Sequence, residues 1–214
     1  MRKGIIFDFD GVIVDSEHVW REAEMEVFRR AGHQLTAEKV ASNSGKKVED
    51  LVAEHQKQFS FNEAKAKQLI KDIYTYVQEE MNKNPAATPG LYQAVDFFLS
   101  RNYKLAIASS SPINFIKKVL KNLSLADVFN IICSGQDEEY AKPHPAVYLA
   151  ACKKLELQPS QVIAIEDSLT GLISAKAAKI FCILLKEEKS RLPVHQLADC
   201  ILTDLTEISS NKVI

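Results

Sequence analysis

Apolar positions along the chain follow two regimes. Gly4-Ile5-Ile6-Phe7 is a short continuous apolar run, the pattern of a strand covered on both faces. From about residue 16 to 84 the apolar positions instead recur at helical spacing. Trp20, Ala23, Val27 and Ala31 form one stripe, Val48, Leu51, Val52 and His55 a second, and Leu69, Ile70, Ile73, Val77 and Met81 a third. Ser16 and Asn62 suit the N-caps of the first and third helices, and Gly32 ends the first. Nothing in this stretch reads as a strand.

Asn84-Pro85-Ala86-Ala87-Thr88-Pro89-Gly90 punctuates the chain with two prolines and a glycine, the composition of a linker. Beyond it, short apolar runs at 104–108, 129–133, 162–165, 180–185 and, more weakly, 200–202 alternate with helical patterns over about 91–101, 113–122, 145–155 and 168–178. Alternation of this kind predicts a parallel sheet with helices on both faces. The fold class is therefore α/β, a doubly wound parallel sheet built from residues 1–15 and 90–214. A small all-helical unit, 16–84, is inserted after strand one and returns through a hinge linker at 85–89.

At 214 residues, with 46% hydrophobic and 26% charged positions, the chain is long enough for a well-buried core plus an insert. A net charge of −1 gives no strongly basic surface, so neither nucleic acid nor an anionic membrane is an expected partner. No apolar run reaches the roughly 18 residues of a membrane helix. The N-terminus starts like a signal peptide, but Asp8, Asp10 and Asp15 interrupt it. Cys133, Cys152, Cys182 and Cys200 are far apart, with no C-x-x-C pair, which predicts reduced, mostly buried thiols in a cytoplasmic protein. Lys186-Glu187-Glu188-Lys189 reads as a solvated loop, and His33, His55, His144 and His195 as structural residues without metal-ligand spacing.

The chemistry lies where strands end. Strand one runs into Asp8-Phe9-Asp10-Gly11. With a period of two, Asp8 and Asp10 start on one side while Phe9 faces apolar packing. Two carboxylates about 4 Å apart repel by on the order of 4 kcal/mol at an effective dielectric near 20, so a raised pKa or a bound cation is expected. The strand at 162–165 ends in Glu166-Asp167-Ser168, where Asp167 or Ser168 equally suits a helix N-cap. The strand at 104–108 ends in Ser109-Ser110-Ser111-Pro112, either a serine-rich cap or a phosphate cradle. Lys142 lies in a proline-flanked loop, Ala141-Lys142-Pro143-His144-Pro145, after the third strand. Taken singly, each has an ordinary structural reading. Jointly they place carboxylates, hydroxyls and a lysine at the carboxyl edge of one sheet, where open α/β sheets bind ligands. That set suits Mg²⁺ and a phosphate ester, with one aspartate attacking phosphorus and the other transferring the proton.

At these residues the chain resembles the haloacid-dehalogenase-like phosphohydrolases. Asp8-Phe9-Asp10-Gly11-Val12, then Ser109, then Lys142-Pro143-His144-Pro145, then Glu166-Asp167-Ser168 with Gly171 match the four family motifs in order. The resemblance covers essentially the whole chain, helical cap included. It implies that Asp8 is the nucleophile and Asp10 the general acid and base, and that Ser109, Ser110 and Lys142 hold phosphate. It also implies Mg²⁺ held by the Asp8 carboxylate, the Asp10 main-chain carbonyl and Asp167, with Glu166 in support. Asp15-Ser16-Glu17-His18-Val19-Trp20 and the serine run look most like phosphatases of 2-deoxyglucose 6-phosphate and hexitol phosphates. Trp20 reads either as lining the mouth of the site or as helical-unit core, and Lys46 and Lys47 as substrate contacts or exposed loop charges.

The expected partner is a small phosphorylated metabolite, and the expected state a monomer. The enzymatic rival is a β-phosphoglucomutase. Members of that branch carry a cap histidine where Trp20 stands and a cap arginine near Val48. A phospho-acceptor signalling domain uses similar groups, but its accepting Asp is on the third strand and it has no insert. No G-x-G-x-x-G follows strand one, which disfavours a dinucleotide site.

Overall fold

The computed structural model describes residues 2–43, 45–83, 85–185 and 192–209. Six parallel strands form one sheet in the order β3-β2-β1-β4-β5-β6. They are β1 (Gly4–Phe7), β2 (Lys104–Ser109), β3 (Ile131–Ser134), β4 (Val162–Glu166), β5 (Phe181–Leu185) and β6 (Cys200–Leu202). Strand order reverses at β1, which pairs with β2 on one side and β4 on the other. The helices are α1 (Glu17–Arg30), α2 (Ala37–Ala41), α3 (Val48–Phe59), α4 (Glu63–Lys83), α5 (Leu91–Leu99), α6 (Ile113–Asn122), α7 (Ala146–Leu155) and α8 (Leu169–Ala177). The short α2, absent from the periodicity, is capped by Thr36, whose side chain accepts from the Lys39 N–H.

The pleat divides the core in two. Ile5 and Phe7 of β1, Ile107 of β2 and Ile163 and Ile165 of β4 face α5, α6 and a cluster continuous with the inserted helices. Ile6, Ala106, Ala108, Val162 and Ala164 face α7 and α8. Small residues on this second face let α7 and α8 pack close to the sheet. Phe7 meets Phe98 and Phe129 edge to face, with centroids 6.1 and 5.5 Å apart, a favoured ring geometry. Phe129 thus acts as packing just before β3, which begins at Ile131 rather than at 129.

Between β1 and α5 the chain forms helices α1 to α4, with Asn62 capping α4 through Oδ1, which accepts from the Lys65 N–H at 2.9 Å. The expected linker is more ordered than its composition suggests. The Asp15 N–H donates to the Ala86 carbonyl at 2.9 Å, the Thr88 N–H donates to the Ile13 carbonyl at 3.1 Å, and Val14 bridges to Ala87. The outgoing and returning strands of the insertion therefore run side by side. Residues 186–189 and Asn84 lie outside the described residues.

None of the four cysteines forms a disulfide among the described residues; Cys133, Cys152 and Cys182 are buried and Cys200 is half-buried. Burial pushes the Cys152 thiol up to about 11, with nearby Cys133 adding. No helix among the described residues is long and apolar enough to cross a membrane.

Candidate active site

Period-two alternation carries Asp8 onto the face of Ile6, and Glu166 onto that of Val162 and Ala164. Parallel register pairs Phe7 with Ile165, and the Asp8 N–H donates to the Ile165 carbonyl at 2.9 Å. The two carboxylates therefore emerge on the same side at adjacent strand ends, both almost fully buried. Lys142 is not a solvated loop charge. Its side chain is 1% exposed, with Nζ 3.0 Å from Asp8 Oδ1 and 2.7 Å from Glu166 Oε1. Tyr148 also donates its hydroxyl to Glu166 Oε1.

The electrostatics differ from the simple Asp8–Asp10 repulsion that the sequence suggests. Burial is the main force raising the Asp8 carboxyl well above its usual range. Glu166 adds more, Lys142 opposes, and Asp10 contributes least. Burial pulls the Lys142 ammonium down, but Asp8 and Glu166 outweigh it and hold the lysine charged. Burial and the charge of Glu166 likewise keep Tyr148 protonated.

Asp10 is held quite differently. Oδ1 accepts from Ser16 Oγ and Trp20 Nε1, and Oδ2 from Ser111 Oγ, each at 2.6 Å. Ser16 does stand at the N-cap of α1, but its side chain makes no capping bond there. Trp20 has two sets of neighbours. It lines the cavity, and its ring packs edge to face on Tyr74 and Phe115, at 6.0 Å from each. Ser111, Ser16 and Tyr148 are the contributors that sequence reasoning missed. Ser111 sat inside the serine run, Ser16 looked like a cap, and Tyr148 fell on a face that reads as core.

The serines at the end of β2 have separate tasks. Ser109 is buried, and its Oγ accepts from the Ser111 N–H at 2.9 Å. Ser110 Oγ donates to the Gly45 carbonyl of the inserted unit at 3.0 Å. Ser168, not Asp167, caps α8, accepting from the Gly171 N–H at 3.1 Å. Asp167 faces the turn at Gly11, where φ is +76° and a Cβ would lie 2.0 Å from Asp167 Oδ2. Only glycine satisfies both the backbone and the space there. Carboxylate oxygens of Asp8, Glu166 and Asp167 lie within 4.8 Å of one another.

The inserted helices roof this edge. Gly45, at φ +78°, passes so close to α8 that a Cβ would sit 2.3 Å from Thr170 Oγ1. Gln136 Nε2 donates to Tyr74 Oη at 2.5 Å and to Glu49 Oε1 at 3.2 Å. Beneath the roof is a cavity lined by Asp8, Asp10, Asp167 and the three serines on one side and by Trp20, Glu24, Asn43 and Lys46 on the other. Lys46 faces it while bound to Glu54 at 2.7 Å. Lys47 is placed elsewhere. Its Nζ reaches the Glu138 carbonyl at 3.4 Å, and it is not among the cavity-lining residues.

The model of a haloacid dehalogenase-like hydrolase family matches residues 5–185. Hexitol phosphatase B of Escherichia coli is 29% identical over 211 residues, covering 98% of this chain and 95% of that protein. Validoxylamine A 7'-phosphate phosphatase of Streptomyces hygroscopicus subsp. limoneus is 28% identical over 208 residues, covering 97% and 96%. Among solved structures, β-phosphoglucomutase from Clostridium difficile superposes with a TM-score of 0.86 over 97% of this chain and 93% of that one, at 22% identity. The last likeness is one of fold.

Proposed function

The chain belongs to the haloacid dehalogenase-like hydrolase family. From that premise we propose that it is a Mg²⁺-dependent phosphatase of small sugar or sugar-alcohol phosphates. The carrying observation is the contrast between two carboxylates on one cavity. Asp8 is buried against Lys142, and Asp10 is fixed by three neutral donors. Asp8 attacks phosphorus as the bond to the leaving oxygen breaks, and protonated Asp10 gives that oxygen its proton. Asp10, now a carboxylate, then takes a proton from water as the water oxygen bonds to phosphorus and the Asp8–phosphorus bond breaks. Lys142 and the Ser109–Ser110 turn oppose charge on the phosphoryl oxygens.

The donor set fits a hard divalent cation. Carboxylate oxygens converge from Asp8, Glu166 and Asp167, and the carboxylates crowding Asp8 outnumber the lysine that opposes them. Asp8, Asp167 and the Asp10 main-chain carbonyl would hold it. Glu166 supports from behind, because Oε1 already accepts from Lys142 and Tyr148 and Oε2 from Ser168. When bound, Mg²⁺ draws charge from the transferring phosphoryl group. Residues 16–84 act as the cap, pivoting where 13–15 and 86–88 pair, to admit the substrate and then exclude water.

The test is phosphate release from a panel of sugar and sugar-alcohol phosphates, with Mg²⁺ or with EDTA, for wild type and Asp8→Asn. Metal-dependent release abolished by Asp8→Asn is the expected result. Isomerisation of β-glucose 1-phosphate without phosphate release would replace the proposal with a mutase. A long-lived phosphoryl-Asp8 with no turnover would replace it with a phospho-acceptor domain.

A further inference from the structure

Glu24 is a carboxylate that the phosphoryl chemistry does not use. It lies on α1, 4% exposed, yet lines the cavity. Oε1 accepts from Asn43 Nδ2 at 2.6 Å and faces His55 Nε2 at 3.0 Å. Among the described residues Oε2 has no hydrogen-bond partner. His55 is wholly buried and directs Nε2 at Glu24, while its Nδ1 has no partner among the described residues. An unpaired buried nitrogen costs free energy. The fold keeps that cost and gains an oriented carboxylate. Asn43 adds a second restraint, and its Oδ1 is 3.4 Å from Lys46 Nζ at the same cavity.

Position indicates what this carboxylate meets. Glu24 follows Trp20 by four residues, so the two share one face of α1 about 6 Å apart along its axis. The Trp20 indole touches Asp10, which puts Glu24 a short carbon chain away from the reacting end. The wall around it is largely apolar, with Val40, Val48, Leu51 and Ile73. An acceptor held in an apolar wall selects a ligand that brings a hydroxyl donor. The same charge disfavours a ligand that brings a carboxylate.

We infer that Glu24, oriented by His55 and Asn43, is the specificity-determining acceptor for a hydroxyl on the carbon skeleton of the phosphate ester. It selects neutral polyhydroxy esters over phosphorylated acids. The inference rests on the phosphatase reading above and names its substrate class.

The experiment compares kcat/KM for sorbitol 6-phosphate, phosphoglycolate and phenyl phosphate in wild type and Glu24→Gln, with thermal melts of both. In the variant, the sorbitol 6-phosphate to phenyl phosphate ratio should fall by about 10- to 100-fold, the effect of losing a charge-assisted hydrogen bond. The phosphoglycolate to phenyl phosphate ratio should rise. Both ratios within threefold of wild type would overturn the inference and leave Glu24–His55 as a packing pair. Should the variant not fold, unaltered enzyme with a series of monodeoxyhexitol phosphates decides instead. One member must lose about the same factor, and a flat series overturns the inference. Wild type inactive on every ester, phenyl phosphate included, overturns the phosphatase reading itself, an outcome distinct from unchanged ratios in an active enzyme.

Discussion

Lys142→Met tests whether the lysine holds the buried carboxylates together. The Lys142 side chain is 1% exposed, 3.0 Å from Asp8 and 2.7 Å from Glu166. Methionine follows most of the lysine stem, so little packing is lost. What remains is a pair of buried carboxylates without their cation. Breaking a buried ion pair from one side costs about 3–5 kcal/mol. At about 2–4 °C per kcal/mol for a chain of this size, the metal-free melting temperature should fall by about 6–20 °C at pH 8.

The pH dependence separates this cause from a general packing defect. In the folded metal-free protein the Asp8 carboxyl is raised above its usual 3.8, by burial first and Glu166 second. Its contribution to stability is therefore full below pH 3.8 and lost as pH rises through the folded value. Lys142 is raised above 10.5, so its contribution persists through neutral pH. Removing the lysine raises Asp8 further, because Lys142 is the group that lowers it. The penalty should shrink at pH 5.5, where Asp8 more readily takes a proton. Melts in EDTA at both pH values measure this. An equal loss at both, or a loss under about 3 °C at pH 8, would refute the reasoning.

Trp20→Phe keeps the ring contacts with Tyr74 and Phe115 but removes the indole donor to Asp10 Oδ1; steady-state kinetics should show kcat reduced about 10-fold, the scale of one charge-assisted hydrogen bond. Gly11→Ala combines a strained φ of +76° with a Cβ 2.0 Å from Asp167 Oδ2, so Mg²⁺ binding by calorimetry should weaken along with turnover. Saturating Mg²⁺ at about 100 times its Kd should raise the melting temperature of wild type by about 5–11 °C, from 2.7 kcal/mol of linkage. In thiol labelling at pH 8, native protein should react at Cys200 while Cys133, Cys152 and Cys182 are protected by burial, and guanidinium should release all four.

Legibility followed physical range. The strands could be read because a buried parallel strand is a local apolar run, as in Val162 to Ile165. The strand order, which reverses at β1, was not legible in the sequence. Asp8–Asp10 and Glu166–Asp167 were legible together, because each pair follows a run that must be buried, whereas Lys142 lies in a loop beyond the third strand. Their pairing was not legible. Nothing near Lys142 in sequence indicates that it lies between Asp8 and Glu166, 24 residues from the latter. Ser111 bonds Asp10 across 101 residues, and Tyr148 appears at a helical core position. Lys47 could not be separated from Lys46, since side-chain direction in a loop depends on the partner surface.

The two aspartates show why that non-local information matters to the chemistry. They lie two residues apart after one strand, and a period of two would give them the same surroundings. Gly11, at φ +76°, turns the chain just past Asp10, where β1 has already ended. Asp8 stays among charges, with Lys142 beside it and Glu166 and Asp167 nearby. Among the described residues the donors that meet Asp10 are neutral, two hydroxyls and an indole. Asp8 and Glu166 outweigh burial and hold Lys142 charged, which suits the carboxylate that attacks as an anion in the proposed mechanism. Hydroxyl donors can reorient, so they suit a carboxyl that must hold a proton in one step and lack it in the next. On the proposed mechanism, the division of labour between nucleophile and proton carrier follows from what each carboxylate is given to bind, and two of Asp10's partners, Ser16 and Trp20, come from the start of the inserted unit. Placing the insertion immediately after strand one lets the helices that roof the cavity also position Asp10, the acid of the proposed mechanism.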